Sequence, residues 1–508
     1  MSALKELIGW KLVFGISGPE VDERTLALYH ETGARGLILY RRNYRSPQQI
    51  KTLISTLESR LERRLLVTLD HEGGRVVFFG EDAVTVFPDN YTFGLMGDRE
   101  AARQHGTIEA RELRALGVDV NFSPVCDVIA ENYNPGILSR SYSKSPEVVA
   151  SFIKERIAGS QAFGLSATAK HFPGKGHTTV DAHIKLPVIH STMKEMEDFH
   201  LKPFEAAMEA GVDCIMSSHP LYVNIDPDAP ATFSRKIIHG LLREKYGYKG
   251  VIVSDDLEMG ALADYGGAGA AIVKADKAGH DLLLVCHATD AQNKSYHELL
   301  KAYEDGSLKR AELEKSVERI KALFAKREKR FDGQPGPLAE GGELARRAAG
   351  RAADIINPGN FEIPVRLADF TGKTVFIYPR FADMTETLMW ERGAADLDRY
   401  FLSQSCARGF RPKLCRVPLA PDDNAVARTI AQIEGADLSV IFVWDAGLHD
   451  GWRKVFEAAQ SRSKRCIAIL LRDFFDSRFA LPGTLVASGY GFRKCQLDAV
   501  CAKVFADN

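Results

Sequence analysis

The sequence predicts an α/β fold: a closed (β/α)8 TIM barrel followed by a smaller αβα layer domain. Three observations carry this prediction. The first two-thirds of the chain alternates short runs rich in Val, Ile and Leu with amphipathic stretches, the pattern of buried parallel strands joined by crossover helices. Eight such units fit into about 300 residues, the size of a closed barrel and not of an open doubly wound sheet. A Pro/Gly-rich break near residue 332 then opens a shorter region with its own apolar runs.

The eight apolar runs are KLVFGIS from Lys11, GLILY from Gly36, LLVTLD from Leu65 and VDVNFSPV from Val118, then SATAKHF from Ser166, CIMSS from Cys214, GVIVSDD from Gly250 and DLLLVC from Asp281. Each has the length of a buried strand. The stretch REAARQHGTIEARELRALG has helical periodicity and stops at Gly117, a residue suited to a left-handed helix end. After the eighth run comes LKRAELEKSVERIKALFAKREKR, whose acidic and basic residues interleave. It reads as the solvated face of a helix and not as a nucleic-acid arm. DGQPGP, from Asp332 to Pro337, marks a linker, and GELARRAAGRAADIIN reads as a connecting helix. Beyond it TVFIYP, LSVIFVW and CIAILL alternate with helical segments. The boundaries are therefore 1–331 for the catalytic barrel, 332–360 for linker and connecting helix, and 361–508 for the C-terminal αβα domain.

Composition excludes several classes. Of 508 residues, 45% are hydrophobic and 26% charged, which rules out a disordered chain or a collagen. The 66 basic side chains nearly cancel the 67 acidic ones, leaving a formal charge of -1 and no global field for nucleic acid or an anionic membrane. No apolar run approaches the roughly 18 residues of a membrane helix. The N-terminus MSALKELIGWKLVFG lacks the features of a signal peptide. The eight cysteines include no CxxC pair, and Cys126, Cys214 and Cys286 lie in apolar runs as small hydrophobes. A cytoplasmic, reducing location is the expectation.

In a barrel the site is built at the C-terminal ends of the strands. There the third run ends in Asp70, followed by HEGGR; the fifth ends in Lys170-His171, followed by FPGKGHTTVDAH; the seventh ends in Ser254-Asp255-Asp256. Two carboxylates and a Lys-His pair on one rim point to chemistry. Asp255, held at a strand end, suits a nucleophile, which must sit about 3 Å from the atom it attacks. It also reads as a cap for a helix starting near Leu257, a role for which Asp256 is better placed. In the loop after the fifth run, His177, Asp181 and His183 carry three readings. They are a metal site of H-x3-D-x-H spacing, a polar loop network without chemistry, or a dyad in which Asp181 orients and charges His183 as general acid/base. PGKGHT is not a phosphate loop, because His follows the second glycine where Walker spacing needs a lysine.

These residues, in this order, resemble the family 3 glycoside hydrolases, and within them the bacterial β-N-acetylhexosaminidase branch. The resemblance spans residues 5–330 and rests on IGWKLVFGISG, LDHEGGRV, VDVNFSPVCDV, AKHFPGKGHTTVDAH and GVIVSDDLEM. It is weaker in the C-terminal region, on LLRDFFDSRFALPG and VASGYG. It implies that Asp255 is the nucleophile, that Asp181 and His183 form the acid/base dyad, and that Asp70, Arg140, Lys170 and His171 bind sugar hydroxyls. It further implies a retaining exo-hydrolase acting on terminal β-linked GlcNAc of peptidoglycan or chitin fragments. Its partner is a small carbohydrate or glycopeptide, and it needs no metal or organic cofactor. A β-glucosidase or β-xylosidase of the same superfamily and a non-catalytic sugar-binding relative are the competing readings. Three positions depart from the family pattern. Lys175 and His177 replace the His and Asp of PGHGDT, and Phe78 stands where an arginine is frequent. These departures bear on sugar preference and on the charge around His183.

Overall fold

The computed structural model describes residues 3–130, 134, 136–178, 186–326, 333–381, 383, 412–472 and 474–506. Eight parallel strands follow one another around a single sheet: β1 (Leu12–Gly15), β2 (Gly36–Ile38), β3 (Leu66–Leu69), β4 (Val120–Asn121), β5 (Ser166–Phe172), β6 (Cys214–Ser217), β7 (Val251–Val253) and β8 (Leu283–Val285). β1 pairs with β2 on one side and β8 on the other. The last seam, between β7 and β8, is held by a parallel bridge from Val253 to Leu282 and by the Ser254 amide donating to the Leu282 carbonyl at 3.0 Å. The sheet is thus a barrel, and each of the eight predicted runs contains one of its strands.

The alternation of side chains along a strand decides what faces inward. Val13, Ile38, Leu66, Val120, Val251 and Val253 share one apolar cluster in the barrel interior. Their chain neighbours Leu12, Phe14, Leu37 and Val67 belong to another cluster, between strands and helices. Carrying the same parity past the strand ends puts Asp70, Lys170 and Asp255 in the inward rows. The helices are stopped and started by local chemistry. The Asp22 carboxylate accepts from the Thr25 amide at 2.7 Å, Ser46 and Ser145 cap helices that open with proline, and helix Arg99–Ala115 gives way to Gly117 at φ 91°.

The second sheet comprises β9 (Asp354–Asn357), β10 (Thr374–Pro379), β11 (Lys413–Val417), β12 (Leu438–Val443), β13 (Cys466–Leu470) and β14 (Leu485–Ser488), in the order β9-β14-β13-β12-β10-β11. All pairs are parallel except β9 with β14. The helix expected over GELARRAAGRAADIIN ends at Ala352, and β9 follows it. Two consecutive β-branched residues, Ile355 and Ile356, favour extension where the edge of β14 offers backbone partners. Helix Ala339–Ala352 packs Leu344, Ala345 and Ala348 into the cluster that lines the barrel's outer wall. The two domains also meet beside the barrel mouth. Arg493 Nε donates to the Gly74 carbonyl at 2.6 Å, Gln496 Nε2 donates to Thr92 Oγ1 at 3.0 Å, and the Tyr91 ring stacks on Phe474 at 4.7 Å.

Burial sets an acid limit to this fold. His71 and His280 are held down to about 4 and His105 to about 3, chiefly because burial disfavours the imidazolium. Each is neutral in the folded chain but takes up a proton when unfolded below its ordinary value of 6.5. The unfolded state therefore binds more protons as pH falls through that value, and stability is lost by up to about 1.4 kcal/mol per histidine per pH unit. The thermal midpoint, followed by calorimetry, is expected to hold at pH 7–8 and to fall steadily between about pH 6.5 and 5.

Candidate active site

The inward rows converge at the C-terminal mouth of the barrel. Lys170, at the end of β5, is the centre of the cluster: its Nζ lies 2.5 Å from Asp70 Oδ1 and 2.6 Å from Glu72 Oε1. Arg140, in a turn after β4, grips Glu72 with two parallel bonds, Nε to Oε2 at 2.8 Å and Nη2 to Oε1 at 2.7 Å. Its backbone carbonyl accepts from Asn90 Nδ2 at 2.8 Å. The structure thus brings three sequence-predicted residues, Asp70, Lys170 and Arg140, into one network. Glu72, which joins them, was not singled out from the sequence.

The charges of this network follow from burial and pairing. Burial would push the Glu72 carboxyl up, but Arg140 and then Lys170 hold it down at about 2. Burial raises Asp70 above its ordinary value against the pull of Lys170, and the negative charges of Glu72 and Asp255 add to the rise. Burial disfavours the Lys170 ammonium, yet Asp70 and Glu72 outweigh it and keep it charged. Asp70 keeps 30% of its side chain exposed toward the mouth, whereas Glu72 keeps 1%. Asp70 can therefore meet a ligand, and Glu72 serves to hold the two cations.

Asp255 continues the inward row of Val251 and Val253 and is half-buried. Its Oδ1 accepts from the Asp256 amide at 2.9 Å, which fixes the carboxylate's rotation. No helix starts at Leu257, as the capping reading required: a 3-10 turn begins at Gly260 and the α-helix at Gly267. Asp256 instead accepts from the Glu258 amide at 3.1 Å and pairs with His287 Nε2 at 3.2 Å. Beneath them His219, at the end of β6, donates from Nε2 to the Asp256 carbonyl at 3.0 Å, while its Nδ1 pairs with the Thr232 hydroxyl at 2.7 Å. Burial lowers His219 below its ordinary value although Asp255 opposes the shift, so it supports the loop as a neutral imidazole.

His171 turns to a partner of its own. Its Nδ1 lies 2.7 Å from Asp127 Oδ2, and the Lys175 amide donates to Asp127 Oδ1 at 2.7 Å. Asp127, two residues past the fourth run, thereby ties the start of the long loop to the barrel. His177 Nδ1 meets His200 Nε2 at 2.8 Å and Ser191 Oγ at 3.1 Å, with its ring stacked on Phe199. Burial lowers both histidines, so this departure adds no positive charge to the loop at neutral pH. Asp181 and His183 lie outside the described residues. Phe78 is buried against Phe79 and Tyr44, and its amide donates to His71 Nδ1 at 3.1 Å. Among the described residues no group of three His, Cys, Asp or Glu is placed to hold a metal ion, and no helix is long and apolar enough to cross a membrane.

Comparison with known proteins agrees with this architecture. The family model described as glycosyl hydrolase family 3 N-terminal domain matches residues 16–323. A β-hexosaminidase of Xylella fastidiosa (strain M23) is 36% identical over 282 residues, 54% of this chain and 83% of that protein. A β-hexosaminidase of Nitrosomonas eutropha is 35% identical over 289 residues, 56% of this chain and 82% of that protein. Among solved structures, a family 3 β-N-acetylglucosaminidase from Paenibacillus sp. str. FPU-7 superposes with a TM-score of 0.88 at 29% identity, covering 99% of this chain and 96% of that one. That match takes in both domains.

The charge network makes its own prediction. Glu72→Gln removes the shared anion and leaves Arg140 and Lys170 buried without it. Urea unfolding is expected to show a loss of about 3–5 kcal/mol. A loss under about 1 kcal/mol, the value of an exposed pair, would mean that Glu72 does not organise the two cations.

Proposed function

Because the chain belongs to glycosyl hydrolase family 3, we propose that it is a retaining exo-β-N-acetylhexosaminidase that removes terminal β-linked GlcNAc from peptidoglycan or chitin fragments in the cytoplasm. The observation that carries this reading is the half-buried Asp255 on an inward row of the barrel mouth, beside the Asp70–Lys170–Arg140 network. The names of the relatives support the hexosaminide substrate, and the D-x-H spacing of Asp181 and His183 supports the dyad.

The reaction has two displacements. An Asp255 oxygen attacks the anomeric carbon while protonated His183 gives its proton to the departing glycosidic oxygen, so the carbon–oxygen bond breaks as the glycosyl–aspartate bond forms. His183, now neutral, takes a proton from water, which attacks the same carbon and returns the Asp255 carboxylate. Two inversions retain the configuration. Asp181 beside His183 raises the imidazole's proton affinity toward neutrality and fixes its tautomer. Asp70 accepts from sugar hydroxyls; Lys170 and Arg140 hold the opposite charge in place and donate. A substrate lacking a hydroxyl leaves a buried polar group unpaired, which is how such a site discriminates among sugars.

Two measurements test the reading. A 5-fluoro glycosyl trap, followed by peptide mapping, is expected to label the segment containing Asp255, and a label elsewhere removes the nucleophile assignment. On p-nitrophenyl glycosides, the GlcNAc substrate is expected to turn over faster than the glucoside or xyloside. Its rate should fall on a basic limb as the acid/base histidine loses its proton. Asp181→Asn is expected to move that limb to lower pH, since the neutral amide no longer supports the imidazolium; an unchanged profile would exclude the dyad.

A further inference from the structure

The opposite end of the barrel carries a cavity of about 550 Å³. Its walls come from the segments that enter β1, β7 and β8, at Lys11, Tyr248-Lys249 and Gly279-His280, and from the start of helix Arg310–Lys326. It lies beneath the strands, whereas the candidate active site lies above them. Its size is that of a small-molecule site.

The lining carries eight Lys and Arg side chains against two carboxylates, Asp276 and Glu312. Lys11 is matched by Asp276 at 2.6 Å, and Lys315 by Glu312 at 3.4 Å. Arg243 and Arg319 share a single carboxylate, Asp281, at 2.5 and 2.8 Å. Glu244 faces His239 at 3.2 Å. Of these carboxylates Asp276 and Glu312 line the cavity, and each already has a cation. Arg235, Lys249, Lys277 and Lys309 also line the cavity, and none of them has a carboxylate partner among the described residues.

Helix dipoles account for part of this. Lys277 sits in the last turn of helix Gly267–Ala278, where a cation is favoured. Lys309 does not fit that account: it precedes helix Arg310–Lys326, whose positive end disfavours it. Lys249 belongs to no helix. All four side chains are solvent-exposed, and in a chain of net charge -1 they gather a local positive potential at the concavity that favours a small anion.

We propose that this cavity binds a small phosphorylated ligand carrying at least two phosphate charges, held by Lys249, Lys277, Lys309 and Arg235. The concavity favours a small molecule over a nucleic acid, which a flat basic stripe would serve.

Isothermal titration of the full chain tests the proposal, with inorganic phosphate, inorganic pyrophosphate, adenosine diphosphate and a short DNA duplex as probes at constant ionic strength. Pyrophosphate or the nucleoside diphosphate is expected to bind with Kd below about 1 mM and more tightly than phosphate. Preference for the diphosphate ester over pyrophosphate would identify an organic phosphate as the ligand, and the reverse an inorganic one. The triple variant Lys249→Glu, Lys277→Glu, Lys309→Glu is expected to weaken that binding at least about tenfold. The triple glutamine variant is a milder second form, and both should keep p-nitrophenyl-glycoside turnover, because none of the three residues lies at the mouth. Absence of diphosphate binding, binding undiminished in both variants, or binding of the duplex alone would each overturn the proposal.

Discussion

Glu72 is an anion with almost no contact with water, and it is stable there only because two cations reach it at once. This constraint orders the barrel mouth. The carboxylate is forked by Arg140 and touched by Lys170, so each cation's position is set by the same pair of oxygens. Lys170 then has donors to spare for Asp70, at 2.5 Å. A site that reads hydroxyl groups needs donors and acceptors fixed before the substrate arrives, since ordering them afterwards would consume binding energy. The buried carboxylate performs that ordering, and the two cations hold its proton affinity low.

The loop that carries Glu72 is in turn gripped from outside the barrel. Gly73 and Gly74 both take positive φ, and a side chain on Gly74 would strike Asp89 at 2.2 Å. The turn is therefore tight, and its amides and carbonyls have few ways to be satisfied. The Gly74 amide donates to Phe87, and the Gly74 carbonyl accepts from Arg493 of the second domain. Asp89, beside the turn, accepts from the Arg75 amide and from Ser139, one residue before Arg140. The αβα domain thus contacts the Glu72 loop through its backbone, two residues from the carboxylate that organises the sugar-facing cations. Its charged residues also reach the mouth's surroundings: Arg472 and Asp445 act on Arg75, and Arg493 on His71.

The legibility of this arrangement follows the range of each interaction. Asp70, Lys170 and Asp255 were readable because a strand end is a local feature: an apolar run stops and a charge follows. Glu72 was not, because its meaning comes from Arg140, 68 residues away. Asp127 and His219 carry no local signal for the same reason, each acquiring its role from the loop of another strand. The capping role offered for Asp256 was a fair local inference. It fails because the chain after β7 first turns as a 3-10 segment, leaving Asp256 to meet His287. In the second domain, β10, β12 and β13 are uniformly buried and stood out as apolar runs. β11 carries two exposed residues, Lys413 and Arg416, at the sheet edge and does not rise above the pattern of a loop.

A net charge near zero conceals a barrel whose two ends differ. Around the mouth stand Asp70, Glu72, Asp127, Asp255, Asp256 and Glu258, following β3, β4 and β7. Around the floor stand the cations of the floor cavity. The topology prepares this division. In a (β/α)8 barrel the helices run against the strands, so their positive ends face the mouth and their negative ends the floor. That polarity favours anions above and cations below, although each end also holds the opposite sign in paired form: Lys170 and Arg140 at the mouth, and Asp119, Asp213 and Asp281 at the floor. The same polarity cannot explain a lysine at the start of helix Arg310–Lys326. At that point the floor departs from what the helices favour, and Glu312 in the same first turn and the proposed anion are the counter-charges within its reach.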